Sequence, residues 1–139
     1  MRLTFLGTGT SKGVPEIGCT CPTCLSNDPR DKRLRVSALI ETDKARILID
    51  CGPDLRMQML RIPFDRLDGV LLTHEHYDHI KGLGDISYKY NLPIYASKGT
   101  IDGILCKDII TDQKIHIINK GLEIFGYTVT PFRTSHDAR

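Results

Sequence analysis

Long apolar runs are missing from this sequence. No stretch approaches the length needed to span a bilayer, so no membrane partner is expected. An export signal is missing too. The opening MRLTFLGTG carries one basic residue and a short apolar-leaning stretch that ends in glycines, and it reads as a first β-strand. Charge of one sign is scarce, since 19 Lys and Arg against 17 Asp and Glu leave a formal net charge of +2. That balance gives no polyanion footprint, so nucleic acid is an alternative partner and not the favoured one. A local cluster, Arg30, Lys32, Arg33 and Arg35, could meet phosphates, but it reads first as a solvated loop. Internal repeats and low-complexity stretches are absent as well. The five cysteines are an odd number, three of them fall within six residues, and no export signal accompanies them. The expected compartment is therefore the cytoplasm, where thiols serve metal binding or core packing before disulfides.

What is present suits a single domain over residues 1–139, with 40% hydrophobic and 26% charged residues. Leu3 to Leu6 reads as a strand, followed by a glycine-rich loop from Gly7 to Pro15. Ser37 to Glu41 and Arg46 to Asp50 form a hairpin pattern, and Asp54 is placed to cap a helix from Leu55 to Arg61. Val70 to Leu72 and Ile94 to Ala96 are short buried-strand patterns. A helix weakened by Gly82 and Gly84 fits His79 to Ile86, and Thr100 can cap another from Ile101 to about Lys107. Ile115 to Ile118, Glu123 to Phe125 and Tyr127 to Phe132 are strand-like. Strands that pair locally and then alternate with helices predict a layered α/β arrangement.

The decisive segment is Thr73-His74-Glu75-His76-Tyr77-Asp78-His79, which sets four candidate ligands directly after an apolar strand in a chain of only five histidines. In extended chain, residues two apart point the same way, so His74 and His76 can grip one ion while Glu75 points away. If the chain then turns into a helix, Asp78 and His79 project from its first turn toward a neighbouring position. Imidazole nitrogen suits zinc and other first-row metals, and the carboxylate compensates charge. Two ions about 3.5–4 Å apart could share a bridging water, lower its pKa and clamp an ester for attack. The competing readings are surface loop histidines or a single structural ion.

This HxHxDH pattern resembles the signature of the metallo-β-lactamase superfamily. Thr4-Phe5-Leu6-Gly7-Thr8-Gly9-Thr10, the run from Gly18 to Cys24, and Leu48-Ile49-Asp50-Cys51-Gly52 are similar to the PhnP-type subfamily, across the whole chain. The resemblance implies an αββα sandwich, here its N-terminal half plus the start of the second sheet. It implies hydrolysis of small cyclic or nucleotide-like phosphodiesters through a metal-bridged hydroxide, with zinc as cofactor and manganese as the alternative. A related branch with a segment like Thr134 to Asp137 acts on nucleic acid. By resemblance, His136 joins His74 and His76 at the first metal, and Asp78 and His79 bind the second and serve catalysis. Two further family ligands lie downstream of a position equivalent to Arg139, so the domain is expected to be incomplete at its C-terminus. Asp137 is not placed as a substitute. An inactive metal-binding fragment is therefore an alternative reading, as is association with a second copy or with the remaining C-terminal portion.

Cys19, Cys21 and Cys24 form a CxCxxC cluster that a tight turn can wrap around a structural zinc, with free thiols as the alternative. A closed site needs a fourth ligand, which PhnP-type proteins supply from a distant histidine. Cys51 and Cys106 read as core residues, and His116 as a core or edge histidine. The loop from Gly7 to Gly13 lacks the Gly-Lys-Ser/Thr ending of a nucleotide-binding loop, and reads as backbone passing close to the metal pocket. Asp50 reads equally as an ordinary strand-end carboxylate or as a group that orients a metal-bound histidine from behind.

Overall fold

In the computed structural model, residues 1–110 and 114–132 are described. The strands β1 (Arg2–Gly7), β2 (Ser37–Glu41), β3 (Arg46–Ile49), β4 (Gly69–Leu71), β5 (Ile94–Ala96) and β6 (Ile115–Ile117) form one six-stranded sheet in sequence order. The first two pairings are antiparallel and the last three parallel. Parallel neighbours need crossovers, and helices supply them. Between β3 and β4 runs α2 (Leu55–Met59), between β4 and β5 run α3 (Tyr77–Ile80) and α4 (Leu83–Tyr90), and between β5 and β6 runs α5 (Lys98–Leu105). A short α1 (Pro22–Leu25) precedes β2, and β7 (Leu122–Ile124) pairs with β8 (Tyr127–Val129) as a separate hairpin.

Alternation along the strands sorts the core into two layers. Leu39, Leu48, Val70 and Ile94 stand opposite one another across four strands and are almost wholly buried. Together with Leu72 and Ala96 they pack against Ile80, Leu83, Ile86, Ile101 and Ile104 of the helices. The intervening residues, Ile40, Ile47, Leu71 and Tyr95, face the other way and pack against Ile118, Ile124 and Val129. The order is thus helices, sheet, second sheet, the layered arrangement expected. No helix among the described residues is long and apolar enough to cross a membrane.

Several local expectations yield to tertiary contacts. Asp54 does not cap α2, because its carboxylate accepts the Arg35 N–H at 2.9 Å and pairs with the Arg35 guanidinium at 2.9 Å. The helix expected from His79 to Ile86 is split at Lys81-Gly82, where Gly82 N–H turns back to the Cys51 carbonyl at 2.8 Å. The N-cap of α5 is Ser97, whose hydroxyl accepts the Thr100 N–H, and Thr100 lies buried inside the helix. Phe125 and Gly126 both have positive φ (51° and 82°), so Phe125 belongs to the hairpin turn and not to β7. Cys106 is exposed at the end of α5, contrary to its reading as core, whereas Cys51 is buried. The glycine-rich loop runs along residues 33–35, with Gly9 N–H donating to Leu34 at 2.7 Å and Val14 to Arg33 at 3.0 Å. Those backbone contacts hold its shape.

The layering makes a stability prediction. Leu48→Ala, at a fully buried site of the helix-facing layer, should lower unfolding stability by about 2–5 kcal/mol. Leu60→Ala, at a 65% exposed position, should stay within about 0.5 kcal/mol. Urea denaturation of both variants measures the contrast.

Candidate metal centre

The polypeptide leaves β3 at Ile49 and bends sharply at Asp50, whose φ of 56° lies in the left-handed region that Asp tolerates better than most residues. The bend buries the Asp50 carboxylate at 2% exposure. There it accepts three hydrogen bonds, from Thr73 N–H at 2.9 Å, the Thr73 hydroxyl at 2.7 Å and His79 Nδ1 at 2.7 Å. One carboxylate therefore ties the end of β3 to the loop after β4 and to α3. Backbone contacts reinforce it, since Cys51 N–H donates to the His79 carbonyl at 2.7 Å. Gly52 presses on the same helix so closely that a Cβ there would lie 1.9 Å from the Asp78 carbonyl oxygen.

Hydrogen-bond accounting fixes the imidazole nitrogens. The Thr73 hydroxyl gives its one proton to Asp50, so at 3.0 Å from His74 Nδ1 it must accept. Nδ1 of His74 is then the donor in this bond, and Nε2 is the nitrogen the bond does not use. His79 likewise gives its Nδ1 proton to Asp50, and its Nε2 faces the Asp78 carboxylate at 3.3 Å. The His74 ring centroid lies 4.7 Å from that of His76 and 3.9 Å from that of His79. Three imidazoles and one carboxylate thus share one half-buried patch, with two imidazoles oriented by hydrogen bonds on the nitrogen behind. Nitrogen donors beside a carboxylate oxygen fit zinc, or manganese as a harder alternative. His136 and Asp137 lie outside the described residues.

Burial pulls the His79 pKa down, but the hydrogen bond to Asp50, the Asp50 charge and then the Asp78 charge outweigh it, so the net pKa is raised. Thr73 and Gly52 are the residues sequence reasoning missed. A hydroxyl directly before the first histidine and a glycine directly after Asp50-Cys51 were the available signals.

Elsewhere, candidate ligand atoms of Cys19, Cys21 and Cys24 all lie within 4.8 Å of one another. Glu16 N–H donates to Cys24 Sγ at 3.4 Å, and the Cys24 N–H, followed by the Cys19 thiol, pulls the Cys21 pKa down. Each cation of the basic cluster is already engaged. Arg30 pairs with Asp28, Lys32 donates to the Ser26 carbonyl, Arg33 to the Thr8 carbonyl, and Arg35 pairs with Asp54. His116 is exposed and stacks on Tyr95 with centroids 4.9 Å apart. A cleft of about 570 Å³ between α2 and α4 is lined by Leu55, Met59, Ile86 and Tyr90 among others, and by none of the metal-segment side chains.

The beta-lactamase superfamily domain matches residues 45–139, most of the chain. The chain belongs to that superfamily. Among its relatives is an octanoyltransferase of Porphyromonas gingivalis, 54% identical over 108 residues that make up 75% of this chain and 22% of that protein. Another is the exodeoxyribonuclease YycJ of Bacillus anthracis, 36% identical over 107 residues, covering 71% of this chain and 40% of that protein. The crystal structure of a diphosphatase from the PhnP family superposes with a TM-score of 0.82 at 38% identity, covering 92% of this chain and 55% of that one. This superfamily chain therefore spans from about a fifth to just over half of the length of these three proteins.

The raised His79 pKa predicts a pH dependence for the metal-free superfamily chain. The folded-state value lies above the unfolded one, so this contribution to stability is complete below about pH 6.5 and is lost as pH rises through the folded value. NMR titration of His79 in chelator-treated protein should give a midpoint above 6.5, and Asp50→Asn should lower it. A midpoint unmoved by Asp50→Asn would contradict the assignment of Asp50 as the cause.

Proposed function

We propose that the protein carrying this chain is a metal-dependent phosphodiesterase acting on small cyclic or nucleotide-like phosphodiesters. The observation that carries this reading is the three-bond grip of Asp50 on Thr73 and His79, which orients an imidazole whose other nitrogen faces Asp78. Such buried carboxylates behind histidines fix the tautomer and raise ligand basicity. The likeness to a PhnP-family diphosphatase supports the substrate class. In this reading His74, His76 and His136 hold one zinc or manganese ion, and Asp78 and His79 hold a second and serve catalysis. Bound metal would lower the pKa of water and polarise the phosphoryl group. The chain's own residues set the geometry. Asp50 and Thr73 engage Nδ1 of His79 and His74, so metal would be taken at Nε2 of each ring, and Gly52 keeps the first turn of α3 pressed to the sheet. Misplacement by about an ångström costs on the order of a hundredfold in rate.

A nuclease is the second reading, favoured by the 36% identity to an exodeoxyribonuclease, since both chemistries cleave a phosphodiester. The engagement of Arg30, Lys32, Arg33 and Arg35 within the chain favours the small substrate. The cysteine cluster, in the same proposal, holds a structural zinc through Cys19, Cys21 and Cys24.

Turnover of bis(4-nitrophenyl) phosphate with added zinc or manganese tests the main reading. Combining His74→Ala with His76→Ala should remove bound metal and lower turnover at least about a hundredfold. Unchanged metal content in that double variant would sink the assignment, and turnover of single-stranded DNA exceeding that of the small ester would favour the nuclease.

The cysteine site has its own test. Thiol titration before and after mild chelation should show three thiols that become reactive only once zinc is removed. Three thiols fully reactive from the start would rule the site out.

A further inference from the structure

Lys107 stands two residues beyond the end of α5, with its backbone held by a turn in which its N–H donates to the Ile104 carbonyl at 3.0 Å. Its ammonium crosses to the metal segment and makes two contacts there. It donates to the carbonyl oxygen of Glu75, and it lies 4.9 Å from the centroid of the Tyr77 ring. Glu75 and Tyr77 are the residues that alternate with His74, His76 and Asp78. One turn earlier on α5, Gly103 meets the Glu75 side chain so closely that a Cβ there would lie 2.5 Å from Glu75 Cγ. Glu75 itself is buried at 7% exposure. The end of α5 therefore bears on the back of the segment at two points, a packing contact at Gly103 and a charged hydrogen bond with a cation–π contact at Lys107.

We propose that Lys107 is a positioning residue that clamps the 74–77 loop and so sets the spacing of the metal-binding histidines. The loop has neither helical nor sheet pairing of its own between Thr73 and the start of α3. A segment of that kind keeps one conformation only when groups outside it occupy its backbone polar atoms. Asp50 does so on the β3 side through Thr73, and Lys107 does so on the α5 side through Glu75. The first hold fixes which nitrogen of His74 and His79 is offered. The second fixes the carbonyl midway between His74 and His76, and thus the path between the two rings. The Lys107 ammonium bears on the Glu75 carbonyl and the Tyr77 ring, so its effect passes through the loop.

The inference rests on the metal-binding reading of His74 to His79, and one measurement made without metal separates the two. In chelator-treated protein, Lys107→Met should speed hydrogen exchange of the amides at 75–79 roughly tenfold, whereas Lys107→Arg, which keeps charge and donors, should stay near wild type. Zinc affinity, read by competition with a fluorescent chelator, should fall about tenfold in Lys107→Met and recover in Lys107→Arg. Gly103→Ala, which displaces Glu75 with Lys107 intact, should weaken zinc in the same direction and guards against a folding defect peculiar to one variant. Exchange in Lys107→Met equal to wild type would overturn the clamp, whatever the zinc result. Absence of zinc binding in the wild type, with faster exchange in Lys107→Met, would keep the clamp and discard the metal reading.

Discussion

The buried carboxylate of Asp50 is the constraint on which the centre depends. Burying a charge costs several kcal/mol unless hydrogen bonds replace the lost water, and Asp50 gains three from two residues. Each donor is thereby fixed relative to the end of β3. The left-handed backbone at Asp50 is the local cost of aiming that carboxylate across the strand end, and the three bonds offset it. Remove the carboxylate and Thr73 loses the partner of both its N–H and its hydroxyl, so the hold on His74 weakens along with that on His79.

The layers make this constraint rigid. Leu48 and Val70, side by side at the centre of the sheet, hold β3 and β4 in parallel register, so Asp50 and Thr73 emerge from neighbouring strands at the same end. Placing a reactive cluster at the carboxyl end of parallel strands is the usual solution in α/β sheets, because loops there can vary while the strands stay fixed. The close approach of Gly52 to Asp78 then sets α3 directly on the strand end. A larger residue at position 52 would lift the helix that carries Asp78 and His79.

Much of this was legible in the chain. His74, His76, Asp78 and His79 stand out because their spacing suits extended chain turning into a helix; β4 ends at Leu71, His76 is extended in the loop that follows, and α3 begins at Tyr77. The layer order followed from local pairing and then βα alternation. What was not legible depends on partners far away in sequence. Asp54 has the chemistry of a cap, but Arg35 offers it an ion pair that outweighs the local bond. Ser97 and Thr100 are both capable caps, and only the packing of Thr100 into the core decides between them. Gly82 weakened the helix expectation, yet the break at that position is completed by the Cys51 carbonyl, a contact no window of neighbouring residues contains. Thr73 was passed over because a hydroxyl is ordinary until its neighbours are known.

All the oriented groups of the centre, from Asp50 to His79, belong to a single strand–helix–strand unit and the first turn after it. Their assembly closes one short loop, and the entropy of closure rises only slowly with loop length. During synthesis this unit emerges and can pair before β5 and β6 exist. The hydrogen bonds of Asp50 with Thr73 and His79 would then form early in folding, ahead of the hairpin that covers the opposite face of the sheet. A gene segment encoding β3 to α3 therefore carries four of the candidate ligands, His74, His76, Asp78 and His79, as one cassette with the carboxylate that grips Thr73 and His79 and the glycine that seats the helix.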